Sequence, residues 1–149
     1  MNRPATVHAS AVLVGERGVL IRGASGAGKS SLLLGLLAAD PGATWLIADD
    51  RVMLTATHGR LVAAAPAQVA GLMEIRGQGI VRRPFVSPAR VDFVVDLVAG
   101  PSAERMPPAE TETVAVDGVD LPRLCLPVGL ADGPLRVRAA LDLRFAVKG

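Results

Sequence analysis

The chain reads Gly23-Ala24-Ser25-Gly26-Ala27-Gly28-Lys29-Ser30 and so fills every fixed position of the phosphate-binding loop pattern G-x-x-x-x-G-K-[ST]. Residues 19–22 before it predict a short buried strand, and residues 31–39 after it predict a helix. Glycines let a backbone approach phosphate oxygens closely, and a helix N-terminus directs its N–H groups at an anion. The pattern predicts a triphosphate site, with Lys29 on the β- and γ-phosphates and the Ser30 hydroxyl on Mg²⁺. The alternative is a glycine-rich turn that binds nothing.

Length and composition set the broad class of the protein. The chain has 149 residues, and we expect a single domain over residues 1–149. Half of the residues are hydrophobic, but charged residues interrupt the apolar runs well before the ~18 residues of a membrane span. A single cysteine and an N-terminus without an apolar signal core predict a soluble, cytoplasmic protein. A net charge of only +2, with three Phe, one Trp and no Tyr, argues against nucleic-acid binding.

The rest of the pattern predicts an α/β fold that is rich in strands, with one clear helix directly after the phosphate loop. Strands are predicted at residues 11–14, 19–22, 44–48, 52–56, 61–64, 91–98, 113–116 and 119–121, and helices at 31–39 and 135–145. Residues 99–112, rich in Gly, Pro, Ser and Glu, are predicted to form a surface excursion.

Two carboxylates, Asp49 and Asp50, come directly after the predicted strand at residues 44–48. Nucleotide enzymes often place a carboxylate near the phosphate loop to help hold Mg²⁺. A second carboxylate allows a division of labour, in which one serves the metal and the other accepts a proton from an attacking hydroxyl. The structural alternative is that Asp50 caps a turn or pairs with Arg51. Which aspartate would move the proton is open at this point.

Three further candidates are ambiguous on spacing alone. His8 precedes the first predicted hairpin, and a lone histidine is more often a surface residue than a catalytic one. Glu74 and Arg76 lie two residues apart among glycines, on one side of an extended chain. They would form either part of a site or an ion pair at a sheet edge.

Taken together, these segments resemble the C-terminal catalytic domain of bacterial HPr kinase/phosphorylase. The matching segments are His8, the phosphate loop, residues 47–50 and residues 73–80, in the order and spacing of that family. Residues 73–80, Met-Glu-Ile-Arg-Gly-Gln-Gly-Ile, are close to a family signature. Residues 116–128 resemble the segment that leads to the family's last catalytic loop, so the similarity covers nearly the whole chain.

The resemblance implies a P-loop domain of the HPr kinase and phosphoenolpyruvate carboxykinase type. It implies an ATP-dependent kinase that phosphorylates a serine of HPr, the small phosphocarrier of the sugar or nitrogen phosphotransferase system. In the family's terms Lys29 neutralises the transferring phosphate, and Ser30 and Glu74 hold Mg²⁺, to which we also assign Asp50. The pair Asp49 and Asp50 supplies the proton acceptor.

The resemblance also bears on other residues and on assembly. His8 is carried over as an active-site residue near the aspartate pair, and Arg76 is a candidate catalytic residue. The family tends to form hexamers, so we expect a homo-oligomer. Full-length members carry an additional N-terminal domain, which we do not expect here because only seven residues precede His8.

One segment departs from the family pattern. Typical members have an arginine-proline-glycine-arginine-like loop after the position of Val128, whereas residues 129–134 contain no arginine. An arginine beside a transferring phosphoryl group stabilises developing charge. The family's reverse reaction, in which inorganic phosphate attacks phosphoserine-HPr and releases pyrophosphate, is therefore in doubt unless Arg76, Arg136 or Arg138 takes that place.

Two other function classes stay open. A small-molecule kinase or carboxykinase relative would keep the loop and the aspartates, and a regulatory module would bind ATP without efficient transfer. Lys29 is expected to be an exposed loop lysine that contributes little to packing, so that Lys29→Ala should leave the fold intact.

Overall fold

The computed structural model describes residues 6–99 and 113–145 of the chain. Apart from residue 99, the predicted surface excursion lies outside the described residues. The described elements are β1 (Thr6–His8), β2 (Ser10–Val14), β3 (Arg17–Gly23), α1 (Lys29–Ala39), β4 (Thr44–Ala48), β5 (Arg51–Thr57), β6 (Arg60–Ala64), a 3₁₀ turn (Ala67–Val69), β7 (Leu72–Ile75), β8 (Gly79–Arg82), β9 (Ala89–Val91), β10 (Phe93–Val98), β11 (Thr113–Val116), β12 (Val119–Pro127) and α2 (Gly133–Phe145). The predicted strand-rich α/β fold is confirmed.

A six-stranded sheet in the order β11-β12-β10-β3-β2-β4 forms the centre of the fold. Strands β3, β10 and β12 run parallel side by side, and β2 runs antiparallel to both β3 and β4. Strands β3 and β4 therefore point in the same direction. As a result, the phosphate loop after β3 and the aspartates after β4 leave the sheet at the same edge, where α/β proteins commonly bind ligands.

Both faces of the central sheet are buried, because successive side chains of a strand point to opposite sides. In β3, Val19 and Ile21 pack with Leu33 of α1, whereas Leu20 packs on the other face with Leu61 of β6. Strand β6 belongs to a four-stranded sheet in the order β1-β5-β6-β9. The molecule thus has three layers: the helices, the six-stranded sheet and the four-stranded sheet.

Helix α1 presents a leucine-rich face to the central sheet, with Leu33 and Leu36 fully buried. It begins at Lys29, two residues earlier than predicted, and ends at Ala39. Gly35 lets the second helix approach closely, because a Cβ at that position would meet the ring of Pro134. Helix α2 confirms the predicted terminal helix and begins two residues earlier, at Gly133.

The prediction of one strand over residues 91–98 is wrong. The chain forms two strands there, β9 in the four-stranded sheet and β10 in the six-stranded sheet. Asp92 separates them, since its carboxylate accepts the Gly18 N–H at 3.0 Å and its own N–H donates to the Gly18 carbonyl at 2.7 Å. A Cβ at position 18 would collide with the Arg90 carbonyl oxygen, so this crossing requires glycine.

Strand β12 is also longer than predicted. It extends to Pro127 rather than ending at residue 121, because residues 119–122 pair with β11 and residues 123–127 then pair in parallel with β10. Among the helices in residues 6–99 and 113–145, none has both the length and the apolar character to cross a membrane.

Candidate active site

A pocket of about 640 Å³ opens at the sheet edge where β3 and β4 end. It is lined by His8, Ser10, Ser25, Gly26, Gly28, Lys29, Ser30, Ser31, Leu34, Asp50, Glu74, Ile75, Arg76, Gly77 and Gly79. These residues come from four places: the β1–β2 segment, the phosphate loop with the start of α1, the turn after β4, and the β7–β8 hairpin. The pocket thus collects most of the site residues predicted from the sequence, and Asp49 accepts hydrogen bonds from three of its lining residues.

The phosphate loop has the backbone geometry of an anion cradle. Gly26 and Gly28 have φ values of 81° and 101°, and a Cβ at either position would face open space. Gly23 instead has a packing role, since a Cβ there would lie 3.1 Å from the Cβ of Leu97. Helix α1 starts without a side-chain cap and without an acidic residue in its first turn. Its first N–H groups are therefore available to a ligand. The phosphate loop and the start of α1 together fit a phosphate group.

Lys29 is 6% exposed, so the expectation of an exposed loop lysine is wrong. Its ammonium group donates hydrogen bonds to two carbonyl oxygens of the phosphate loop, that of Gly23 at 2.9 Å and that of Ala24 at 3.1 Å. An ammonium group has three donors, so one N–H is left for a phosphate oxygen. Replacing Lys29 with alanine would also remove both of these loop contacts.

Asp49 is buried and receives three hydrogen bonds. The hydroxyls of Ser10 and Ser30 donate to its Oδ1 at 2.9 Å and 3.0 Å, and the backbone N–H of Glu74 donates to its Oδ2 at 3.3 Å. The Asp49 side chain is therefore tied at once to β2, to the first turn of α1 and to β7. Its carboxylate is the point where the elements around the pocket meet.

Asp50 has a different environment from its neighbour. Its side chain is 67% exposed and its Oδ1 lies 2.7 Å from Nε2 of His8. The backbone at Asp50 has a φ of 69°, and the Arg51 N–H donates to the Asp49 carbonyl at 2.8 Å. This is a γ-turn centred on Asp50 in the left-handed region, which is rare and strained for a residue with a side chain. The turn directs the two adjacent carboxylates to different partners, and Asp50 contacts His8 rather than Arg51.

Glu74 and Arg76 do not share one side of an extended strand as the spacing suggested. Strand β7 ends at Ile75, and Arg76 lies in a turn that continues through Gly77, whose φ is 87°. Within the described residues Glu74 and Arg76 form no ion pair with each other, and both line the pocket. Met73 fixes the hairpin because its side chain is buried in the core on the helix side of the sheet.

Of the three arginines considered as substitutes for the missing loop arginine, Arg76 is the one that lines the pocket. Arg136 pairs with Asp132 at 3.0 Å. Arg138 donates to the Leu36 carbonyl at 2.8 Å and to Oγ1 of Thr44 at 3.0 Å, near the C-terminal end of α1. The position of Arg76 therefore favours it over Arg136 and Arg138 as the substitute for the missing loop arginine.

Ser10 is a pocket residue that the sequence reasoning missed. It is fully buried, lines the pocket and donates to Asp49. Two signals in the sequence point to it: it is a polar residue at the start of an otherwise apolar strand, and it lies two residues after His8. In an extended chain this spacing places two side chains on the same side.

The comparisons with known proteins agree on one family. Residues 1–133 match the family model described as HPr Serine kinase C-terminal domain. HPr kinase/phosphorylase of Geobacillus thermodenitrificans is 33% identical over 132 residues, which cover 82% of this chain and 42% of that protein. HPr kinase/phosphorylase of Lactobacillus acidophilus is 44% identical over 77 residues, covering 51% of this chain and 23% of that protein.

A solved structure agrees with the sequence relatives. The structure of the Hpr(Ser) kinase/phosphatase from Coxiella burnetii superposes with a TM-score of 0.79 at 26% identity, covering 97% of this chain and 99% of that one. The chain nevertheless spans less than half the length of the two curated relatives named above.

Proposed function

Because this chain belongs to the family of HPr serine kinase C-terminal domains, we propose that it transfers the γ-phosphoryl group of ATP to a serine hydroxyl of an HPr-type phosphocarrier protein. The observation that carries the proposal is the divergence of Asp49 and Asp50 within one site. One carboxylate is buried against the Ser30 hydroxyl at the end of the phosphate loop, and the other is exposed and bonded to a histidine. This arrangement suits a metal-assisted transfer that also needs a proton acceptor.

The residues on the Asp49 side fit Mg²⁺ and the ATP phosphates. The Ser30 hydroxyl donates its only proton to Asp49, so its lone pairs are free to act as a metal ligand. Glu74 lines the same pocket and adds a carboxylate, the kind of oxygen ligand that Mg²⁺ prefers. Bound Mg²⁺ would neutralise charge on the phosphates. This geometry favours Asp49 over Asp50 on the metal side.

The residues on the Asp50 side fit the transfer of a proton. Nε2 of His8 is hydrogen-bonded to Oδ1 of Asp50. The other carboxylate oxygen, Oδ2, is left to accept the proton of the acceptor serine. As that proton moves to Asp50, the serine oxygen forms a bond to the γ-phosphorus, the bond from phosphorus to the β–γ bridging oxygen breaks, and ADP leaves. Lys29 and Arg76, which line the pocket, would stabilise the charge that develops on the transferring group.

A protein acceptor is consistent with the exposure of the catalytic side of the pocket. The Asp50 side chain is largely exposed, and residues 76–80 at the tip of the β7–β8 hairpin are exposed as well. A kinase for a small molecule needs walls that enclose its acceptor. The open rim therefore favours a serine presented on the surface of another protein.

The proposal is tested by incubating purified HPr with this protein, ATP and Mg²⁺ and measuring the intact mass of HPr. We expect one added phosphate on a serine. The control is Lys29→Met, because methionine keeps nearly the length of the side chain but has neither a charge nor an N–H donor for phosphate, and this variant should add none. Binding of a fluorescent ATP analogue shows whether each protein retains its nucleotide site.

The outcomes separate the function classes. ATP binding without any phosphate on HPr would contradict the kinase proposal and favour the regulatory module. Phosphorylation of HPr by the Lys29→Met variant at the wild-type rate would contradict the assignment of the phosphate loop. Adding inorganic phosphate to phosphorylated HPr then tests the reverse reaction, which releases pyrophosphate.

A further inference from the structure

We infer that Ser10 is a positioning residue for the metal side of this site, an inference that rests on the proposed function. Ser10 begins β2 and is fully buried. Its hydroxyl donates to Oδ1 of Asp49 at 2.9 Å, the same oxygen that accepts the Ser30 hydroxyl at 3.0 Å. The contact of Ser10 with the metal side therefore runs through the carboxylate of Asp49.

The direction of these hydrogen bonds determines what Ser30 can offer to a cation. An ionised carboxylate only accepts hydrogen bonds, so both serines must donate their single hydroxyl proton to Asp49. The Ser30 oxygen then presents lone pairs and no proton to the pocket. If Asp49 rotated away, Ser30 could turn its proton toward the metal position and would no longer act as a ligand. By fixing Oδ1, Ser10 keeps Ser30 in the state that binds a cation.

The surroundings of Ser10 indicate that its hydroxyl is not needed for packing. The next residues of β2 on the buried faces, Ala11 and Val12, are apolar and fully buried, so a methyl group at position 10 would have apolar neighbours along the strand. The segment 8–10 also holds the neighbouring aspartate, since Nε2 of His8 contacts the Asp50 side chain and the Ala9 N–H donates to the Asp50 carbonyl at 3.2 Å. One short segment therefore sets the positions of both carboxylates relative to the phosphate loop.

The test measures metal dependence and does not require transfer to a protein. The affinity of a fluorescent ATP analogue is measured over a series of Mg²⁺ concentrations and again with EDTA. Partners of metal ligands typically contribute 10–100-fold to metal affinity. We expect Ser10→Ala to raise the Mg²⁺ concentration for half-maximal tightening by roughly 10-fold, while the affinity measured in EDTA stays within about twofold. A merely structural role would not produce this split.

The matched control is Thr44→Val. Thr44 is also a buried residue with a hydrogen-bonded hydroxyl, and it lies at the other end of β4 from Asp49. Its replacement should lower the melting temperature without changing the Mg²⁺ dependence. If Ser10→Ala does not fold, Ser10→Thr and Ser10→Val replace it, because they have equal shape and only threonine keeps the hydroxyl. The threonine variant should then require less Mg²⁺ than the valine variant.

An unchanged Mg²⁺ dependence in Ser10→Ala, or equal dependence in the threonine and valine variants, would overturn the inference and leave the kinase proposal intact. Failure of the wild-type protein to bind the ATP analogue would instead contradict the proposed function itself. The two failures are therefore distinguishable in one set of titrations.

Discussion

Two groups of side chains near the same edge of the central sheet are built around carboxylates, one around Asp96 and the other around Asp49 and Asp50. Their environments are opposite. The carboxylate of Asp96 in β10 accepts hydrogen bonds from Nε and Nη2 of Arg22 at 2.8 Å and 2.9 Å. It accepts a third from Nη1 of Arg123 at 3.2 Å. Asp49 and Asp50 are held instead by two hydroxyls, one backbone N–H and a histidine. Within the described residues, neither of these two aspartates pairs with an arginine or a lysine.

Under the proposed function, the difference separates a structural carboxylate from two that take part in the reaction. At Asp96 the negative charge is neutralised by side chains from both neighbouring strands, and the hydrogen bond to Asp96 raises the pKa of Arg22 above its ordinary value. Burial raises the pKa of the adjacent Cys125 thiol, which disfavours its reactive thiolate form. In the part of the chain that the structure describes, Asp49 and Asp50 form no ion pair with an arginine or a lysine, and Asp50 contacts the imidazole of His8. They can therefore serve a metal ion and a proton.

The largest effect is expected from removing the charge of Asp50. Asn is close in shape and tolerates the left-handed backbone of this position, so Asp50→Asn should fold normally. It cannot accept the serine proton, and general base catalysis typically contributes 10²–10⁴-fold. We expect kcat for HPr phosphorylation to fall about 1000-fold with nearly unchanged ATP affinity. Steady-state kinetics and nucleotide binding measure the two quantities.

Asp49→Asn is the matched variant for that experiment. It should raise the Mg²⁺ requirement as well as lower kcat, because the amide weakens the contacts to Ser10 and Ser30. If the two variants showed the same Mg²⁺ dependence, the division between the aspartates would be wrong.

The sequence was sufficient for the parts of this site that depend on local patterns. The phosphate loop, the strand before it, the helix after it and the aspartates after β4 all follow from short spacings and periodicity. The resemblance to the HPr kinase family, carried mostly by residues 73–80, is confirmed over most of the chain.

Features that depend on distant contacts were not predictable in the same way. Ser10 meets Asp49 across 39 residues, and Gly18 meets Asp92 across 74. No local pattern encodes such pairs. The divergence of Asp49 and Asp50 depends on the sign of one backbone angle, and the burial of Lys29 depends on two loop carbonyls. Neither of these two features can be predicted from hydrophobic periodicity.

A smaller effect, on stability instead of catalysis, is expected at Asp96. Asp96→Asn leaves Arg22 and Arg123 without their shared carboxylate in a half-buried cluster. Breaking a buried pair typically costs 3–5 kcal/mol, and partial exposure of Arg22 reduces this, so we expect a loss of about 2 kcal/mol in the free energy of unfolding. Urea denaturation measures it. The kcat of the folded variant should stay within about threefold of the wild type, and a 1000-fold fall would remove the distinction between the two groups.

The smallest effect isolates the backbone strain at Asp50. A residue with a Cβ costs roughly 1–2 kcal/mol in the left-handed region, whereas glycine does not. We therefore expect Asp50→Gly to be more stable than Asp50→Ala by about 1 kcal/mol in urea denaturation, although both lose transfer activity. At Asp40, where φ is −149°, the glycine variant should be no more stable than the alanine variant, because alanine is unstrained there. Greater stability of the alanine variant at position 50 would show that the turn stores no strain. The expected order would show that the protein keeps an unfavourable backbone at Asp50, a cost that the proposed function explains by the direction in which that carboxylate must point.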